Sequence, residues 1–211
     1  GGIFSALEPL AFLAMALFAV YMYKKGERRH PNKIALFWTI GASIVSFIGA
    51  GLLGFAHTLP QTNIFTHGTL VTAMHGHYAF WGAYAMIVLA IISYAMPNIT
   101  GRKRHDNSKG HLAFWLSNVG MLGMVTALGV AGVVQVYLER RLSMDFMIAQ
   151  EEVKIHFVVM LLCAALFATG IGIYIYEFIK YGKPSEEALE SKVDESEAVA
   201  EELGIRDVEL N

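Results

Sequence analysis

Two histidines, His75 and His77, stand two residues apart in the stretch TAMHGHYAFWGAY (residues 72–84), which is otherwise fit for lipid. The bilayer interior is a poor place for an imidazole unless something holds it. On an α-helix, a separation of two residues is about 200° of rotation, so the rings leave on nearly opposite sides and one metal cannot take both. This spacing excludes the i, i+4 zinc pair and points to two separate clients. Flat iron porphyrins suit such positions, because each needs an axial imidazole and an apolar slot between helices. Gly76, with Gly68 and Gly82 nearby, leaves room for large rings, and Tyr78, Phe80, Trp81 and Tyr84 are there either to wall them in or simply to pack. The alternative reading of the pair is two interhelical hydrogen bonds.

Glu8 is the other group with chemistry to offer. It lies about eight residues into an apolar segment, hence roughly 10 Å deep and comparable in depth to the histidines, which sit roughly 10 to 15 Å below the start of theirs. A carboxyl at that depth is suited to exchanging protons, whereas the bland reading is a wet glutamate at a helix start before Pro9. Ser5 and Thr58 carry hydroxyls that bond equally well to their own backbone. His30, His105 and His111 accompany basic loops and read as polar surface, and His156 has no motif around it.

The elements that must position these residues are membrane helices. Of 211 residues, 55% are hydrophobic and only 16% charged, far from the soluble average. Hydropathy divides the chain into five apolar segments, about 3–23, 35–57, 69–96, 112–138 and 155–181, each long enough to cross a ~30 Å hydrocarbon core as a helix. Pro31, Pro60 and Pro97 punctuate the breaks, and glycines inside the spans, as in GASIVSFIGAGLLG, permit close helix packing. Lys24, Lys25, Arg28, Arg29 and Lys33 crowd the first loop and Arg102, Lys103, Arg104 and Lys109 the third, while the second, Thr58 to Gly68, has no Lys or Arg. The fourth loop is mixed, with Arg140 and Arg141 set against Glu139, Asp145, Glu151 and Glu152. The positive-inside rule then predicts an N-terminus outside and a C-terminus in the cytoplasm. The expected organisation is an all-α membrane domain over 1–182 followed by an acidic tail over 183–211, where ten Asp or Glu face three Lys or Arg. The single cysteine, Cys163, excludes disulfides, thiolate zinc sites and iron–sulfur clusters within the chain, and covalent c-type haem as well. Nothing points to a nucleic-acid partner.

The motifs carry a family resemblance. THGTLVTAMHGHYAFWGAYAMIVLAIISYAMP resembles the tenth transmembrane helix of the catalytic subunit of bacterial nitric oxide reductases, in the haem-copper oxidase superfamily. GGIFSALEPLAFLAM resembles the eighth helix, GAGLLGFAHTLPQTN the ninth with its outer loop, and the last two spans, including MDFMIAQEE, the eleventh and twelfth. The likeness covers about residues 1–180. An HxH is shared by the whole superfamily, whereas HGHYAFWGAYAM together with ALEPL and FAHTLP is closer to the cytochrome c-dependent reductases.

Carried over, the resemblance implies five of the helices of a twelve-helix bundle, in the cytoplasmic membrane of a bacterium or archaeon. His75 becomes the proximal ligand of a high-spin haem b and His77 one axial ligand of a low-spin haem b. Glu8 corresponds to the acidic residue beside a non-haem iron, Ser5 and Thr58 to polar positions on a route to the active site, and His57 and His67 lie where haem propionates would be. The implied reaction joins two NO, two electrons and two protons into nitrous oxide and water. The family's three histidines and glutamate for the non-haem iron, and the second ligand of the low-spin haem, come from preceding helices and have no counterpart here. The chain, which opens directly into an apolar span, thus reads as a fragment or one half of a split subunit, completed by N-terminal helices of the same subunit or a partner chain and by a membrane-anchored cytochrome c. The competing readings are an oxygen reductase segment, a di-haem electron-transfer cytochrome, and a haem-free membrane anchor or transporter.

Overall fold

The computed structural model describes residues 2–26, 32–100, 107–181, 190, 193, 194, 196 and 197. His30, His105, Pro31, Arg28, Arg29, Arg102, Lys103, Arg104 and most of the acidic tail lie outside the described residues. The described elements are helical throughout: α1 (Gly2–Ser5), α2 (Glu8–Lys25), α3 (Lys33–Thr58), α4 (Pro60–Thr66), α5 (Leu70–Thr100), α6 (Ser108–Arg141) and α7 (Phe146–Tyr181). Among the described residues four helices, α3, α5, α6 and α7, are long and apolar enough to cross a membrane.

The first expected span, 3–23, is built differently from the prediction. Pro9 lacks an N–H, and its ring clashes with the carbonyl four residues back, that of Ser5, so the helix breaks into α1 and an 18-residue α2. At 1.5 Å per residue, 18 residues reach only about 27 Å, with Glu8 at one end and Lys24 and Lys25 at the other. Pro9 and Phe12 pack α2 onto Gly51 of α3, and none of the α2 residues is buried.

Two further boundaries move. Pro97 does not end its helix but sits inside it, and the Ser93 carbonyl, which lost its N–H partner to the proline, accepts from Asn32 Nδ2 at 2.7 Å. Asn32 caps α3 with its other end, its Oδ1 accepting from Ala35 N at 3.1 Å, so one buried amide ties two helices together. The fourth loop shrinks to Leu142–Asp145. Asp145 caps α7 through Met147 N at 2.8 Å, and Glu151 and Glu152 lie in its second turn, Glu151 pairing with Lys154 at 2.9 Å. Lys109, expected in a loop, belongs to the first turns of α6, where it meets the buried Glu177 of α7 at 3.2 Å.

Glycines set the helix contacts. A Cβ on Gly82 would lie 2.6 Å from Ser46 N, one on Gly49 2.7 Å from the Tyr78 carbonyl carbon, and one on Gly120 2.5 Å from Phe167 N. Without side chains there, α3 meets α5 and α6 meets α7 backbone to backbone. Trp38, Trp81, Met86, Phe114 and Tyr174 fill the core away from α4, with Trp38 edge-on to Trp81, Phe114 and Tyr174.

Candidate functional site

The site forms where α3 and α5 cross near α4. Residues 47–52 of α3, FIGAGL, make a π turn, whose wider ring shifts the backbone out of α-helical register. Gly49 of that turn lies against the backbone of Tyr78 and Ala79, and this approach brings its carbonyl to His75, whose Nδ1 donates to it at 2.9 Å. His77 leaves α5 on another side, as the two-residue spacing requires; its Nδ1 donates to Ala73 O at 2.8 Å, and its ring is exposed. A ring nitrogen facing a carbonyl must carry the proton, so Nε2 of each neutral ring is a bare lone pair. Both rings therefore present an unprotonated Nε2 that could accept a metal, on different sides of α5.

His57 adds a third ring of the same kind. Its Nδ1 donates to Leu53 O at 2.8 Å, its Nε2 is buried without a hydrogen-bond partner, and its ring stacks on that of His75, centroids 4.9 Å apart and planes 23° off parallel. Facing aromatic rings contribute about 0.5–1.5 kcal/mol beyond burial. With Nδ1 committed to a carbonyl, neutral His57 can accept at Nε2 but not donate, so a bond to a propionate carboxylate would require the doubly protonated ring.

Glu8 approaches the same place from α2. A Cβ on Gly54 would touch both His75 Cε1 (3.4 Å) and Glu8 Oε2 (3.8 Å), so the missing side chain leaves a space shared by imidazole and carboxylate. Glu8 is exposed in this chain, and both it and His57 lie within electrostatic reach of His75. Thr58 donates its hydroxyl to Phe55 O at 2.8 Å, and Ser5 lies half-buried in α1, which packs on the segment carrying Thr58. His67 is exposed at the end of α4, its carbonyl 3.5 Å from Arg140 Nη2. Thus His75, His57 and Glu8 are brought together, Ser5 and Thr58 flank them, and His67 stays apart.

Other histidines have separate surroundings. His111 packs edge-on against Phe37 at 4.4 Å, and His156 lies along an apolar groove between α6 and α7 with Cys163 and Thr126. Sequence reasoning passed over Gln135, a buried amide that accepts from Leu70 N at 2.9 Å and donates to Glu139 at 2.8 Å, anchoring the start of the HGH helix. A lone glutamine amid apolar residues was the available signal. Among the described residues no group of three or more His, Cys, Asp or Glu gathers to hold a metal ion.

The geometry suits haem. Nε2 of His75 and of His77 are lone pairs, Gly54 leaves space at the His75 edge, and a Cβ on Gly76 would meet no atom within 4 Å. Comparison with known proteins agrees with this chemistry. The sequence pattern described as cytochrome c and quinol oxidase polypeptide I matches residues 1–174. A curated relative, a nitric oxide reductase subunit of Stutzerimonas stutzeri, is 43% identical over 191 residues, covering 87% of this chain and 40% of the relative. The chain thus spans about two fifths of that relative's length.

Proposed function

The chain belongs to the cytochrome c and quinol oxidase polypeptide I family, and from that premise we propose that it is the haem-holding portion of a respiratory nitric oxide reductase catalytic subunit. The observation that carries the reading is the pair of histidines on one helix, each with Nδ1 spent on a carbonyl and Nε2 free, aimed to different sides of α5. The 43% identity to a nitric oxide reductase subunit supports NO as the substrate.

In this reading His75 holds a high-spin haem b and His77 one side of a low-spin haem b, while a non-haem iron is held mainly by residues outside this chain. When bound, these groups would relay two electrons from the donor and provide the iron at which two NO and two protons would give nitrous oxide and water. This chain's residues do the rest. The Gly49 carbonyl holds the proton on His75 Nδ1 and keeps Nε2 unprotonated for ligation. Ala73 O does the same for His77. Glu8, placed across Gly54 from His75, is the group positioned to pass protons, and Ser5 and Thr58 lie on its approach. A membrane-anchored cytochrome c subunit is the proposed electron donor, and the cytoplasmic membrane of a bacterium or archaeon the proposed setting, with the C-terminus in the cytoplasm.

The test is spectroscopic. In the intact assembly, His75→Ala is expected to remove the CO-binding high-spin haem while sparing the low-spin spectrum, and His77→Ala to do the reverse, read by reduced-minus-oxidised spectra and pyridine haemochrome. Equal loss of both haems from either variant would refute the two-client assignment. Turnover with NO set against O2 separates this reading from an oxygen reductase.

A further inference from the structure

We propose that His57 is a positioning residue whose ring face fixes the plane in which His75 presents Nε2 to iron. The inference rests on the reading of His75 as a haem ligand and goes beyond it, because it assigns the orientation of that ligand to a neighbour on another helix. The His75 ring, tethered through Cβ to its helix, donates from Nδ1 to Gly49 O at 2.9 Å. A hydrogen bond at Nδ1 fixes the tautomer and the mean orientation of an imidazole and leaves only a small libration of its plane. A second ring laid over its face narrows that libration further. His57 supplies one, at 4.9 Å and 23°.

His57 is itself built to stay in place. Its Nδ1 is bonded to Leu53 O at 2.8 Å, one turn back along α3. Its backbone carbonyl accepts from Asn63 Nδ2 at 2.7 Å, which locks the end of α3 onto α4. Gly54, three residues before His57, lies close enough that a Cβ there would just touch the edge of His75, at 3.4 Å from Cε1. The buried, unpartnered Nε2 plays no part in this role; the face of the ring does. Ligand-ring orientation and basicity tune a bound iron, so the stack acts on the iron–histidine bond and on the potential of that haem alone.

The experiment uses the haem-loaded holoenzyme and compares His57→Gln, which keeps a polar side chain without a planar ring, with His57→Phe, which keeps the ring without nitrogens. His57→Gln is expected to shift and broaden the iron–histidine stretching band of the reduced high-spin haem in resonance Raman and to move its midpoint potential. Haem content and the low-spin spectrum stay as in the parent protein, and His57→Phe stays close to it in both readouts. A glutamine variant with the parent's band and potential would overturn the proposal. So would a phenylalanine variant shifted as far as the glutamine one, since the role would then lie in the nitrogens. If His57→Gln does not assemble, His57→Leu provides the ringless comparison with the same two outcomes. Retention of the high-spin haem by His75→Gly without added imidazole would instead refute the ligand assignment, whatever the His57 variants show.

Discussion

An imidazole whose Nδ1 donates to a carbonyl keeps Nε2 as an unprotonated lone pair. His75, His77 and His57 each spend Nδ1 on a carbonyl, that of Gly49, Ala73 and Leu53 respectively, at 2.8 to 2.9 Å. Glu8 stands apart from them in kind, as a carboxyl rather than an imidazole. Its role predicts that Glu8→Gln keeps both haems while lowering NO consumption at least tenfold, since positioned acid–base groups contribute about 10²–10⁴-fold; an NO electrode trace at the parent rate would remove Glu8 from proton transfer. Asn32 is a residue of structural weight by the same logic of satisfied polar groups. Replacing it with leucine loses a helix cap and leaves the Ser93 carbonyl unpaired, at a cost of about 1–3 kcal/mol, to be read as a lowered unfolding midpoint in detergent.

Among elements, the decisive contact is between the π turn of α3 and the middle of α5. Gly49→Ala would set a Cβ within 2.8 Å of backbone atoms of Tyr78 and Ala79, which cannot swing aside as a side chain can. The helices must part, and with them the Gly49 carbonyl and the His75 ring. The expected result is a loss of about 1–3 kcal/mol in stability together with a perturbed high-spin haem spectrum. Gly76→Ala is the contrasting case, because its Cβ meets nothing within 4 Å. It is expected to leave the unfolding midpoint unchanged or slightly raised, by up to about 1 kcal/mol from alanine's better helix propensity, so any loss of haem from that variant reports on the space beside the two histidines rather than on helix packing.

At the scale of the whole molecule, α6 and α7 pack along much of their length, and the Lys109–Glu177 pair joins the start of one to the end of the other. The Glu177 side chain is 2% exposed and that of Lys109 42%, so the pair straddles the edge of the protein. Lys109→Met strands a buried carboxylate and is expected to destabilise by about 1–3 kcal/mol, a figure discounted for the exposed partner. The double variant Lys109→Met/Glu177→Gln should recover most of that loss in the same unfolding assay. Failure to recover it would mean that other contacts of these side chains, not the charge pairing, account for the effect.

Much of this was legible in the residues themselves. The run of apolar residues placed α3, α5, α6 and α7 to within a few positions at most ends, because hydropathy is a sum over neighbours in sequence and needs no partner. The opposed directions of His75 and His77 followed from 3.6 residues per turn alone. Boundaries set by charged or proline residues were not legible in the same way. Helix α7 runs back through Glu151 and Glu152 to the Asp145 cap, and α5 continues past Pro97 because Asn32, 61 positions before Ser93, takes up the freed carbonyl. Only the tertiary structure decided that His57 lies on His75, that Gly49 supplies its hydrogen bond, and that Glu8 shares the gap at Gly54. These relations join residues on α2, α3 and α5 whose closeness depends on where helices cross, and a crossing is fixed by mutual packing of side chains and glycines, not by any local pattern.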